Sequence, residues 1–131
     1  MTRKRSDRRG AAITEFAVCL PMLTLLVFGT IETSNRIFLR ETLSVAAYEC
    51  AREAIRNSTT IAAAKKRGQD ILDSRNVKGS AIVFTPTDIV AATRGTQIKV
   101  EVTAPTSSNG TAFGSFVAQK TLKATVVMVK E

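Results

Sequence analysis

Hydrophobic positions divide the chain into three zones with different periods. From 16 to 31 the run Phe-Ala-Val-Cys-Leu-Pro-Met-Leu-Thr-Leu-Leu-Val-Phe-Gly-Thr-Ile carries no charge, and adding 11–14 extends it to about 20 residues interrupted by Glu15 alone. Apolar side chains lie all round this segment, so packing through one amphipathic stripe explains it poorly. A helix of that length spans roughly 30 Å, the thickness of a bilayer's hydrocarbon core. Beyond Glu32 and Arg36 the period becomes helical. Leu39, Leu43, Ala46 or Ala47, Cys50 and Ala54 recur every three or four residues, with Arg36, Arg40, Glu41, Arg52, Glu53 and Arg56 on the remaining surface. No Pro or Gly falls between Thr30 and Asn57, so the pattern predicts one helix over 11–56, roughly 70 Å long.

A polar break at 57–60 precedes a short second helix over 61–74, with Ala64, Ile71 and Leu72 as its apolar positions and Gly68 weakening it. From Ser80 the period is two. Ile98, Val100 and Val102 alternate with polar neighbours, as do Leu122, Ala124, Val126 and Met128. A third strand covers 81–85 and ends at Pro86. Residues 88–93 are open between loop and a fourth strand before a turn at Arg94-Gly95, and 104–119 reads as a polar loop containing Asn109-Gly110. The fold class is therefore α+β: a long N-terminal helix, transmembrane in its first half, packed on a small antiparallel sheet of three or four strands. Residues 57–131 form the exported α+β domain.

Charge sharpens the membrane reading. Of the net +8, residues 1–10 contribute five basic side chains against Asp7, a local +4, and the other 121 residues supply an equal excess. A basic decapeptide before an apolar run is the cytoplasmic flank of the positive-inside rule, placing the N-terminus inside and the C-terminus outside. A DNA-binding arm competes for the same charge, but no aromatic interleaving or recognition helix follows it. A secretory signal peptide also competes. Against it, the uncharged run is long for an h-region, no small-x-small cleavage site follows, and Glu15 stands at its head. His is absent, which excludes His-based triads and zinc sites, and the two cysteines cannot form a four-thiolate cluster. No nucleophile sits in a recognisable pattern with a base, and there is no Gly-rich phosphate loop. The sequence thus predicts no enzyme, no cofactor and no nucleic-acid partner.

Cys19 and Cys50 are about 46 Å apart by helical rise on the predicted helix, whereas a disulfide needs Cα atoms about 5.5–6 Å apart. Both are read as small apolar packing residues. Pro21 removes one backbone hydrogen bond within the apolar run and predicts a kink there.

Glu15 is the costly residue of the membrane segment. Read simply, it is an interfacial acid favoured by the positive end of the helix dipole. Its position five residues after Gly10 allows a sharper reading. Cleavage between Gly10 and Ala11 would free an α-amine at Ala11. In a staggered pack of such helices, that amine would meet a neighbour's Glu15 carboxylate and fix the register. The string Gly10-Ala11-Ala12-Ile13-Thr14-Glu15-Phe16-Ala17-Val18-Cys19-Leu20-Pro21, followed by Phe28-Gly29-Thr30-Ile31-Glu32 and by the Ala-rich segment 46–56, resembles the TadE-like family, small pilin-like proteins of tight-adherence (Tad) pilus systems. The resemblance covers 10–56. Cys19 departs from the family's usual aliphatic residue, and Cys50 from its common Gly. The resemblance implies a processing site at Gly10 and Ala11, an assembly and register role for Glu15 and Phe16, and a prepilin peptidase as transient partner. It further implies pilin or pilus-assembly subunits as lasting partners and a structural function in surface attachment. The alternative is an uncleaved single-pass membrane protein with a small exported binding domain.

Overall fold

The computed structural model describes residues 7–56, 59–111 and 120–130. The first element, α1, runs unbroken over Asp7–Ala54 and contains Pro21. It therefore starts four residues before the expected Ala11 and stops two short of Arg56. Helix α2 covers Ile61–Ser74, and the strands are β1 (Ala81–Thr85), β2 (Gln97–Pro105) and β3 (Thr121–Val129). They form one antiparallel sheet in the order β1-β2-β3, with Phe84 opposite Val100 and Val100 opposite Val126.

The ends of α2 are set by local chemistry. Thr60 is its N-cap, and its hydroxyl accepts the Ala63 amide at 3.2 Å. At the other end Asn76 adopts φ 55°, the Val77 amide donates to Leu72 O at 2.9 Å and the Asn76 amide to Asp73 O at 3.0 Å. This is a Schellman closure with Asn in the left-handed position. It reverses the chain into β1 and turns Val77 onto the core.

The helical stripe and the strand alternation meet in one core. Leu39, Leu43, Ala46, Ala47, Cys50, Ala51 and Ala54 of α1 pack with Ala64 and Leu72 of α2, and with Ile82, Phe84, Ile98, Val100, Val102, Ala104 and Ala124 of the sheet. Both Ala46 and Ala47 are fully buried, so the small-residue face is wider than a single stripe. Gly68 is the reason α2 can lie so close to α1. A Cβ there would collide with Cys50 Sγ and come within 3.3 Å of both Ala46 O and Ile82 Cδ1. Gly68 thus does more than weaken a helix: it makes the notch that Cys50 fills.

Two sequence expectations change. Residues 88–93 form a loop, leaving three strands among the described residues. Asp88 Oδ1 accepts the Val90 and Ala91 amides at 3.0 and 3.1 Å, and this turn drives Ile89 fully into the core. A backbone whose amides are taken by a side chain cannot also pair as a strand. The loop expected over 104–119 starts later, because Ala104 and Pro105 belong to β2. The part over 112–119 lies outside the described residues, as do 1–6 of the basic leader and 57–58 of the polar break.

Candidate functional site

From Gly10 to Ile31, α1 is exposed at every residue but Phe28, which is half-buried. Its most hydrophobic window has a mean hydropathy of 2.1 and none of it is buried, although its length and composition suffice to cross a membrane. Leu20, Met22, Leu23, Leu25 and Leu26 are all exposed. A soluble protein's core helix would be covered, and a free helix with this surface needs an apolar solvent. Threonines in the segment turn their hydroxyls back onto the helix: Thr14 donates to Gly10 O and Ala11 O at 2.9 and 2.8 Å, and Thr24 to Leu20 O at 2.8 Å. These hydroxyls are thereby satisfied within the helix, as the lipid phase requires.

The predicted processing residues lie at the exposed start of this segment. Gly10, Ala11 and Glu15 are exposed, Phe16 keeps 61% of its surface, and nothing lies within 4 Å of a Cβ placed on Gly10. Ala11 and Glu15, four apart in α1, share one face of the helix. Pro21 lies five residues beyond Phe16 on the same uninterrupted helix. Cys19 is an exposed free thiol in the apolar segment, and Cys50 is a buried free thiol. Burial pushes the Cys50 thiol up to about 11, against the opposing effect of the Gly68 backbone amide. It is protonated at any physiological pH and acts as a packing group.

One junction was not read from the sequence beyond its place in the chain. Glu32, which ends the apolar segment, is buried. Its carboxylate accepts the Thr111 hydroxyl at 2.8 Å, the Thr111 amide at 3.3 Å and Arg36 Nε at 3.1 Å. The Thr111 hydroxyl does most to hold the Glu32 carboxyl below the ordinary value of 4.5, with Arg36 adding to it and burial opposing. Gly110 permits this approach, since a Cβ there would lie 3.0 Å from Thr106 O and 3.3 Å from Glu32 Oε1. Asn109 fastens the same loop to the end of α2: Lys78 N donates to its Oδ1 at 2.7 Å, and its Nδ2 donates to Lys78 O and Pro105 O at 2.8 Å. Arg75 donates to Thr42 Oγ1 at 3.4 Å and stacks on Phe38, 5.2 Å from the ring centre. The foot of the sheet domain is thus bolted to α1 within the first turns after the apolar segment. The sequence signals were faint: an acid closing the apolar run, an arginine four residues on, and an Asn-Gly-Thr in a distant loop.

At the opposite end, Lys65, Lys66 and Arg67 are exposed. Arg67 and Arg52 pair with Glu49 at 3.5 and 3.9 Å, and Arg56 pairs with Glu53 at 3.1 Å. This is a mixed-sign solvated groove. Among the described residues there is no group of three side chains suited to a metal.

A membrane-length, unburied N-terminal helix whose second half covers a small antiparallel sheet defines a pilin-like α+β architecture. Residues 10–52 match the family model of TadE-like proteins. The match covers the exposed apolar segment and nearly all of the buried α1 face, and leaves α2 and the sheet outside it. No curated protein and no solved structure matches the chain.

Proposed function

We propose that the chain is a membrane-anchored minor pilin or pilus-assembly protein of a Tad-type pilus system, with a structural rather than catalytic role in surface attachment. The observation that carries this reading is the coincidence of the TadE-like match over 10–52 with a helix whose apolar half is largely exposed and whose other half is docked to a folded domain. In this reading 1–10 is a cytoplasmic leader, 11–31 crosses the cytoplasmic membrane, and 57–131 is exported. A prepilin peptidase cuts between Gly10 and Ala11. That bond lies near the start of α1, so cutting requires the first turns to unwind, and Gly10 lowers the cost of unwinding because glycine is a poor helix former. Glu15 and Phe16 then set the register against neighbouring pilus subunits, the new α-amine of Ala11 pairing with a Glu15 carboxylate. Pro21 supplies a bend for subunit packing.

Intact-mass measurement of the membrane-extracted protein from cells carrying the pilus machinery tests the reading. A mature chain beginning at Ala11 is expected. A chain retaining Met1 or Thr2 in those cells would instead identify a permanently anchored protein with an exported binding domain.

A further inference from the structure

The three-stranded sheet ends in two open edges, and their hydrogen-bonding parity can be read from its margins. Thr106 N donates to Lys120 O at 2.9 Å, and Lys130 N donates to Thr96 O at 2.9 Å. Hydrogen-bonded pairs alternate along an antiparallel ladder. In the observed register the even residues of β3, from Leu122 to Met128, therefore bond to β2. The odd residues Thr121, Lys123, Thr125, Val127 and Val129 point their N–H and C=O groups outward. By the same parity β2 uses Lys99, Glu101 and Thr103 toward β1, so β1 turns Ile82 and Phe84 outward. No backbone hydrogen bond joins either outer edge to another described residue.

Edge strands are normally blunted by short length, by Pro or by a projecting Lys. β3 has nine residues and no Pro. Its one projecting cation, Lys123, is drawn back over the sheet by Glu101 at 3.2 Å. Apolar exposure on the outer face also gathers at the two edges. Val83 of β1 and Val127 and Val129 of β3 keep half or more of their surface, whereas the outer face of β2 carries Gln97, Lys99, Glu101 and Thr103. On the inner face of β3, Leu122, Val126 and Met128 are only partly covered.

We propose that β3 pairs with β1 of a second copy of this chain standing beside it in the same membrane, continuing the sheet from copy to copy. This rests on the membrane-anchored reading above, and membrane polarity selects the pairing. β1 and β3 run in the same direction, both being antiparallel to β2. An antiparallel β3–β3 contact would turn one copy's α1 out of the membrane. A parallel β3–β1 contact keeps every α1 pointing the same way. In a parallel pair, outward-bonding residues of one strand bond to the residues flanking the opposite position. Odd residues of β3 then face odd residues of β1, so outer face continues as outer face and the helix layers stay on one side. The junction brings Val83 of one copy into the row of Val127 and Val129 of the next. It also sets the next copy's α2 beside the half-covered Leu122, Val126 and Met128. The contact is head-to-tail, so it repeats from copy to copy, as a ring where the rotation between copies closes and as a filament where it does not.

The test uses the full chain in membranes, with Cys19→Ser removing the exposed thiol and Cys50 retained. Val83→Cys and Val127→Cys in one chain should give a ladder of oligomers with a short bismaleimide, and either substitution alone should give none. Thr125→Pro removes an outward amide and leaves the β2-facing bonds in place, so the ladder should be lost while the circular dichroism spectrum is kept. Val129→Lys, which leaves the backbone and both introduced thiols intact, should also abolish it. A ladder that survives both variants, cross-linked dimers from Val127→Cys alone, or membrane-embedded protein that stays monomeric would each overturn the interface while leaving the anchored reading intact. Protein extracted by alkaline carbonate would overturn both, since the choice of pairing rests on the shared membrane.

Discussion

Two single residues carry more of this structure than their chemistry announces. Gly68 gives the α1–α2 contact its closeness, because Cys50 Sγ, Ala46 O and Ile82 Cδ1 occupy the space of any added Cβ. Gly68→Ala is therefore expected to destabilise the domain by about 1–3 kcal/mol through overpacking, despite alanine's better helix propensity. Denaturant unfolding of the detergent-solubilised chain measures this. Cys50→Ala in the same chain should recover part of the loss, since the two side chains compete for one notch. Glu32 joins α1 to the Thr111 loop through two hydrogen bonds and accepts a third from Arg36 of its own helix. Glu32→Ala leaves the Thr111 donors and Arg36 Nε without their acceptor, at a cost of about 1–3 kcal/mol. The pH dependence has a fixed sign. The folded carboxyl lies below 4.5, so its stabilisation is complete above about pH 4.5 and fades as pH falls through the lowered folded value. The protection of the Thr111 amide, taken relative to its intrinsic exchange rate at each pH, should fall in that acid range in the native chain and be insensitive to it in Glu32→Ala.

Among the elements, α1 is one helix in two environments. From Gly10 to Ile31 its surface is largely exposed and apolar; from Glu32 its inner face lies on α2 and the sheet. The two halves should therefore respond separately to substitution. Gly10→Leu places a bulky side chain at the proposed processing site, and if that site is cut, full-length chain is expected to accumulate in the membrane on immunoblots. Glu15→Gln keeps the side chain's shape and removes its charge. Insertion and folding should be unchanged, because Glu15 is exposed and stands more than ten residues before the docked half. Recovery in sheared surface fibres or detergent-stable pilus complexes should fall, compared at equal amounts of processed protein. Normal recovery would reduce Glu15 to an acid favoured by the helix dipole.

For the molecule as a whole, the placement of mass and charge sets a direction. The basic leader precedes the apolar segment, and the folded domain follows it. In the proposed orientation, which follows the positive-inside rule, the leader lies in the cytoplasm and the domain outside. A reporter fused after residue 131 should be active only in the form that works outside the cytoplasm. A cytoplasmic signal would reverse the orientation and remove the basis for processing at Gly10. The Glu32–Thr111 and Asn109–Lys78 contacts attach the foot of the domain close to the membrane exit of α1, so domain and anchor should reorient together. Severing Glu32 tests that coupling as well as stability.

Periodicity alone determined the long helix, the second helix, strand 81–85 and the alternation of β2 and β3, because an apolar run, a helical stripe and a period of two are each written in local order. The same local order, with the basic flank, supplied the membrane segment and the TadE-like string around Gly10 and Glu15. Tertiary structure decided what depends on partners distant in sequence. Residues 88–93 are a loop because Asp88 takes the amides a strand would need, and Ile89 is buried by contacts it makes across the fold. Gly68 reads as a helix breaker until Cys50 is seen in its notch. Glu32 reads as the end of a membrane span until Thr111, 79 residues away, is found on its carboxylate. Such roles are fixed by which surfaces the fold brings together, and a one-dimensional pattern records only each residue's readiness for them.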